Sequence, residues 1–264
     1  MSTWTVPRIK EMKGRQKIAC LTAADYATAR LIDGAGVQLV LVGDSLAMTV
    51  LGYETTLPVT MGEMLHHTAA VARGVTNALV VADMPFMSYQ AAVEEALANA
   101  GRFLKESNAQ AVKIEGGTIR GPLVRAFVAN GIPVLGHIGL TPQSVHEMGG
   151  YKVQGKVTGE AQALLLDAKE LALAGVFAVV LECVPAALAR EITDAIPVPT
   201  IGIGAGADCD GQILVTNDML GFRSGISPRF VKQYASIGEQ MATAFEEYRK
   251  EVEGGLFPSE ENCY

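Results

Sequence analysis

The 264-residue sequence predicts a single-domain parallel (β/α)8 barrel of the TIM type, an α/β fold. Three observations carry that expectation. Short apolar runs rich in Val, Ile and Leu recur along the chain, separated by helix-like stretches, and this alternation points to an α/β architecture. The runs are continuously apolar, as strands of a parallel sheet buried on both faces are. About eight such units in roughly 250 residues match a closed barrel, with a doubly wound open sheet as the main alternative.

The elements follow in order. IACLTAAD (18–25) is the first strand candidate, followed by a helical pattern over 26–35. VQLVLVGDS (37–45) is a buried run that ends in a carboxylate; the loop LGYETTLPVT (51–60) and a helical stretch over 61–73 come next. ALVVADMPF (78–86) precedes helix 89–106, and AVKIEGG (111–117) precedes helix 119–130. PVLGHIGLT (133–141) leads into the long segment 142–160 and then helix 160–174. FAVVLECV (177–184), helix 185–195, PTIGIGAGA (199–207) and the weakest run, GQILVTND (211–218), complete the barrel, and a last helix covers roughly 228–252. No boundary or low-complexity linker divides the chain, so one barrel over 1–264 is expected. The loops 51–60 and 142–160 both follow strands and would lie over the C-terminal mouth. The second, with Gly149, Gly150, Tyr151, Lys152 and Gln154, reads as a lid, since loops of that length are usually functional or disordered.

Composition narrows the function classes. Formal charge is −7, and no basic run interleaved with aromatics is present, so nucleic acid is not an expected partner. No apolar stretch reaches the roughly 18–20 residues of a membrane span. The basic N-terminus is not followed by a long apolar segment before Asp25, which makes it a poor signal peptide. Cys20, Cys183, Cys209 and Cys263 form no CxxC pair and suggest no disulfide framework, so a cytoplasmic location is expected. Cys20 and Cys183 lie in apolar runs and read as small buried hydrophobes.

Polar residues gather at the strand ends. Asp44 ends the second run, Asp83 the third, Glu115 the fourth and Glu182 the sixth; Lys113 lies on the fourth and His137 on the fifth. In a parallel barrel these ends open on one mouth, where active sites lie. Side chains at i and i+2 share a face, so Lys113 and Glu115 point the same way. Val42, Val81, Leu135 and Val180 form an apolar layer beneath Asp44, Asp83, His137 and Glu182. Several acids around one pocket repel one another, so some are protonated or a cation neutralises them. Oxygen donors with few imidazoles favour a hard ion such as Mg2+, held by Asp44 and Asp83 with Glu115 as a third candidate. A single strand-end carboxylate is equally well read as a helix N-cap, but four together are not.

Other signals are weaker. HEMGG (146–150) begins like a zincin motif, but the second His would fall at Gly150. His66 and His67 are helical neighbours facing different directions, read as packing or surface residues. GIGAGA (202–207) matches a dinucleotide fingerprint but lies late in the chain, and a close backbone approach to a ligand at the rim fits it better. Lys113 has the chemistry of a Schiff-base lysine. Beside a metal, a lysine that binds a carboxylate or stabilises an enolate fits better.

The segments LVGDSLAMTVLGYETTLPVT, ADMPFMSY, VKIEGG, GHIGLTPQSV, GGYKVQG, LECVP and IGIGAG…DGQILV, in this order, resemble ketopantoate hydroxymethyltransferases over roughly 18–260. Ala47, Ala24 and the ending FPSEENCY depart from the usual pattern without removing a functional side chain. The resemblance implies a (β/α)8 barrel with Asp44 and Asp83 as ligands of one Mg2+ per subunit, and Glu115 as a third, through water. It implies Ser45 and Lys113 as ketoacid-binding residues with His137 nearby, and Glu182 as the proton acceptor. It also implies 5,10-methylenetetrahydrofolate as co-substrate and a homodecamer of two pentameric rings. Two rivals remain from the residues: a Mg2+-dependent lyase or mutase of the phosphoenolpyruvate–isocitrate lyase type, and a catalytically silent barrel serving as a binding module.

Overall fold

The computed structural model describes residues 3–222 and 228–264. Eight parallel strands close in chain order: β1 (Ile18–Thr22), β2 (Leu39–Val42), β3 (Leu79–Asp83), β4 (Ala111–Glu115), β5 (Val134–Gly139), β6 (Ala178–Glu182), β7 (Thr200–Ile203) and β8 (Gly211–Leu214). Closure is made by β1 against β8, with Ile18 opposite Gly211 and Leu21 opposite Leu214. That pairing excludes an open sheet. β2, β3, β4 and β5 are buried at every position, as their unbroken apolar runs require of strands covered on both faces.

The helices between strands are Tyr26–Gly34, Met61–Gly74, Val93–Glu106, Gly121–Ala129, Thr158–Ala174 and Ala186–Ala195. Each has a local cause where its caps are polar. Asp25 accepts from Thr28 N at the first, and Thr60 and Glu63 form a reciprocal capping box at the second.

Three expectations are corrected: the start of the third helix, the 142–160 segment and the start of the last helix. The third helix begins at Val93 and not at 89, because Ala92 is extended and Tyr89 is turned into the interior. The 142–160 segment is not one loop: a 3-10 turn, Pro142–Ser144, and a helical turn, Val145–Met148, precede an irregular stretch that begins at Gly149 with φ 64°. No helix separates β7 from β8; residues 204–210 join them directly. Asp210 secures that short connection by accepting from Thr200 N and from Lys13 Nζ, at 2.9 and 2.8 Å. Gly206 in it has φ 84°, and a Cβ there would lie 2.6 Å from Ala186 Cβ, which accounts for a glycine of the GIGAGA run without a dinucleotide. The last helix is Ile237–Glu253 and starts later than expected. A further helix, Val6–Glu11, was not evident from the sequence; its Ile9 is fully buried.

Chain contacts divide the molecule into two compact units, Met1–Val215 and Thr216–Tyr264. The first contains the whole barrel. The second contains Thr216–Met219, Ile237–Glu253 and the 3-10 turn Glu260–Asn262, with Arg249 paired to Glu253 along the long helix and Tyr248 edge-on to Phe257. No helix among the described residues is long and apolar enough to cross a membrane. All four cysteines are free thiols, with Cys20 and Cys209 buried, Cys183 half-buried and Cys263 exposed.

Candidate active site

The strand-end residues form one continuous chain of contacts within the barrel unit. Asp44 lies two residues beyond β2, and its backbone N–H donates to Asp83 Oδ2 at 3.1 Å. Asp83, the last residue of β3, is the register partner of Lys113 on β4. Lys113 Nζ reaches both oxygens of Asp83, at 2.8 and 2.9 Å, and Glu115 Oε1 at 3.3 Å. The Lys113–Glu115 contact is what two-residue strand periodicity requires of residues on one face. Glu115 is in register with His137 on β5, and His137 Nδ1 lies 3.4 Å from Glu115 Oε1. His137 Nε2 lies 3.3 Å from Glu182 Oε2 at the end of β6. Both ring nitrogens are buried and neither contact has hydrogen-bond geometry, so the ring is held between two carboxylates at ion-pair distance.

Burial separates the members. Asp44, Asp83, Lys113, Glu115 and His137 are buried, whereas the Glu182 side chain is 17% exposed and is the carboxylate open to an incoming molecule. Ser45 is half-buried, and its hydroxyl makes no hydrogen bond among the described residues. Cys183, immediately after Glu182, corrects another expectation. It has φ 49°, so strand parity does not carry past Glu182, and the residue is half-buried, not enclosed like Cys20. A non-glycine residue in the left-handed region is uncommon and is found disproportionately beside functional groups. Burial and the Glu182 charge push its thiol up to about 11. His66 is exposed and His67 half-buried with Nδ1 2.7 Å from Ala24 O, so neither joins this cluster.

Electrostatics show what the cluster lacks. Burial, then the neighbouring Asp83 charge, raises the Asp44 carboxyl well above the usual range. Burial also raises Asp83, against the pull of Lys113. Burial alone would lower Lys113, but the charges of Asp83, Glu115 and Asp44 outweigh it and hold the ammonium firmly protonated. Burial opposes ionisation of Glu115 too, yet Lys113 and His137 bring it down to about 2. Burial and the Lys113 charge depress His137, and contacts with Glu115 and Glu182 more than reverse this, to about 9.

Ionisation of all four carboxylates beside two cations would leave two negative charges in excess; burial holds Asp44 protonated instead, and a divalent cation would let it ionise. Both oxygens of Glu115 are engaged, Oε1 by Lys113 and His137 and Oε2 by the Gln143 N–H at 3.0 Å. No three His, Cys, Asp or Glu side chains among the described residues form a ready cage for a metal. The donor set nevertheless fits Mg2+, which is commonly held by one or two carboxylates with waters and substrate oxygens completing the shell. Asp44 and Asp83 could supply two such carboxylates, although both Asp83 oxygens are taken by Lys113 in this structure.

A pH dependence follows. A raised imidazole stabilises the fold only while protonated, so metal-free protein should lose stability as pH rises from about 6.5 to about 9. The window corresponds to up to about 3 kcal/mol. The raised Asp44 acts with the same sign, since an acid held protonated by the fold costs stability once pH exceeds its unfolded value. Denaturation midpoints in chelator at pH 6 and 9.5 measure the slope, and His137→Gln should flatten it. An equal slope in that variant would remove His137 as the source.

The sequence did not reveal Gln143 or Tyr89 as members. Gln143 Nε2 donates to Asp44 Oδ2 and to Met84 O, and Tyr89 Oη accepts from Glu115 N and donates to Gln143 Oε1. Both lie in loops after strands, where a buried polar side chain carries no periodic signal. Beside them, residues from the loops after β2 to β5, including Leu57, Phe86, Arg120 and His146, line a cavity of about 380 Å³.

A family model described as Ketopantoate hydroxymethyltransferase matches residues 3–260. A protein of Syntrophus aciditrophicus (strain SB) named 3-methyl-2-oxobutanoate hydroxymethyltransferase is 57% identical over 262 residues, covering 99% of this chain and 96% of that protein. One of the same name from Carboxydothermus hydrogenoformans is 58% identical over 265 residues, covering 100% and 96%. Among solved structures, 2,3-dimethylmalate lyase, a PEP mutase/isocitrate lyase superfamily member, has a TM-score of 0.63 at 15% identity over 97% of this chain and 89% of that one. Phosphonopyruvate hydrolase has a TM-score of 0.64 at 11% identity over 100% and 92%. At these identities the structural likeness is one of fold alone.

Proposed function

The chain belongs to the ketopantoate hydroxymethyltransferase family, and we propose that it transfers a hydroxymethyl group from 5,10-methylenetetrahydrofolate to 3-methyl-2-oxobutanoate. The products are 2-dehydropantoate and tetrahydrofolate, with water supplying the hydroxyl oxygen. The observation that carries this reading is the unbroken run of contacts from Asp44 through Asp83, Lys113, Glu115 and His137 to Glu182, in a chain whose family model spans residues 3–260.

In this reading Asp44 and Asp83 would hold Mg2+, Asp83 once the Lys113 ammonium moves off its oxygens, with Glu115 acting through water as the family resemblance implies. The ion supplies Lewis-acid polarisation of the ketoacid. The unpaired Ser45 hydroxyl and the Lys113 ammonium bind the ketoacid oxygens, and the flexible lysine stem lets the ammonium shift from Asp83 toward them. Glu182, the accessible carboxylate, takes the C3 proton. Lys113 then compensates the charge left on the substrate. C3 forms its new bond to the one-carbon unit, and tetrahydrofolate departs. His137 holds Glu182 on one side and Glu115 on the other, which keeps the proton acceptor in place between turnovers. Family kinship likewise supports a cytoplasmic homodecamer of two pentameric rings.

The test is folate-dependent consumption of 3-methyl-2-oxobutanoate with formation of 2-dehydropantoate. Absence of that reaction in Mg2+-loaded protein would sink the proposal. For the cation, Asp83→Asn should weaken Mg2+ binding by at least about tenfold in calorimetry while the barrel stays folded. Unchanged affinity would remove Asp83 as a ligand.

Residues 142–160 are proposed as a lid together with 51–60. The irregular stretch after Gly149 is tied back by Gln154 N, which donates to Cys183 O at 2.9 Å beside Glu182, while Tyr151 is exposed. Amide exchange over 149–157 should slow by about tenfold or more when ketoacid and Mg2+ are added. Equal protection with and without them would count against a lid.

A further inference from the structure

We propose that Gln143 is a positioning residue that sets the direction of the Asp44 carboxylate and ties the root of the 142–160 segment to the acidic cluster. The inference rests on the reading of Asp44 as a cation ligand. Gln143 is 5% exposed and sits in the 3-10 turn that follows β5. Its side-chain N–H groups donate to Asp44 Oδ2 at 3.0 Å and Met84 O at 2.9 Å. Its side-chain oxygen accepts from Tyr89 Oη at 2.7 Å and from Gln90 Nε2 at 3.1 Å. A carboxamide has two N–H donors and two acceptor lone pairs, so every one is used.

The surroundings also fix which way the amide faces. Met84 O can only accept, so the NH2 end must face it. Tyr89 Oη accepts from Glu115 N at 3.0 Å, and its own proton has the Gln143 oxygen at 2.7 Å, much nearer than Glu115 O at 3.5 Å. The second N–H is left for Asp44 Oδ2 and can be nothing but a donor there. Asp44 Oδ1 takes no hydrogen bond among the described residues. One oxygen of Asp44 is therefore held by Gln143 and the other is left for the cation. The backbone of the same residue holds Glu115 Oε2, so one loop residue orients two carboxylates from strands β2 and β4. Partners behind a ligand commonly shift metal affinity by about 10–100-fold.

The test is a double-mutant cycle on Mn2+ binding to the full-length protein without substrate, read by loss of the free Mn2+ resonance at concentrations that register weakened sites. Gln143→Met, close in volume, should weaken Mn2+ binding about tenfold. In an Asp44→Asn background the same change should cost less than about twofold, because its route to the ion has gone. A structural role alone would cost as much in both backgrounds. Unchanged affinity in Gln143→Met, or an equal loss in both backgrounds, overturns the proposal and leaves Asp44 as a ligand. Unchanged affinity in Asp44→Asn alone overturns the ligand reading, and this proposal with it. Should Gln143→Met not fold, Tyr89→Phe carries the cycle: it removes one of the two hydrogen bonds that hold the Gln143 oxygen and so loosens the amide without touching Asp44, and its loss should also vanish in Asp44→Asn.

Discussion

Protein carrying Glu182→Gln should bind Mg2+ and 3-methyl-2-oxobutanoate yet exchange the C3 deuteron of the ketoacid into water about 10²–10⁴-fold more slowly than wild type, with folate absent. The substitution is isosteric and sits at the end of β6, where the side chain is 17% exposed, so neither the barrel core nor the Asp44–Asp83 pair is disturbed. What it removes is the accessible carboxylate proposed as proton acceptor. A second readout separates this from a general disturbance. His137 is raised partly by Glu182, so its imidazole should titrate lower in the variant, with Glu115 still in place. Exchange at the wild-type rate would show that Glu182 is not the base, and Glu115 and His137 would be tested next.

Lys113→Met should destabilise the metal-free protein by about 3–5 kcal/mol, the cost of removing one partner from a buried ion pair. The pair is buried on both sides, with side-chain exposures of 4% for Lys113 and 2% for Asp83. Methionine replaces the stem but leaves Asp83, Glu115 and Asp44 facing one another without the ammonium. The gain in stability on acidification near neutral pH should then steepen. In wild type Glu115 is depressed to about 2, so its contribution is present above the unfolded value of about 4.3 and is lost as pH falls toward about 2. Without Lys113 the buried acids are raised, and acidification from pH 7.5 to 5 relieves them. Urea midpoints in chelator should therefore rise more steeply between those two pH values in the variant than in wild type, where His137 and Asp44 already give a gain of the same sign. Equal midpoints for variant and wild type at pH 7.5 would show that Lys113 is not the counter-charge of this cluster. Hydroxymethyl transfer should fall with it if Lys113 also compensates charge on the substrate, as proposed.

What the sequence determined is local and periodic. Continuous apolar runs such as LVLV and LVVAD specify strands buried on both faces, and their number fits a closed barrel, which the β1–β8 pairing then decides. Two-residue alternation put Lys113 and Glu115 on one face, and parallel order put Asp44, Asp83, His137 and Glu182 at one mouth. Tertiary structure alone decided which groups touch. Lys113 pairs with Asp83 because the β3–β4 register sets them side by side, a relation no periodicity within either strand contains. The start of the third helix at Val93 was decided by Tyr89 reaching inward to Glu115. Gln143 meets Asp44 across 99 residues of sequence. Local patterning fixes which face a side chain takes, because steric preference acts over a few residues. A contact between distant loops exists only once the barrel has closed and burial has forced each polar group to find a partner.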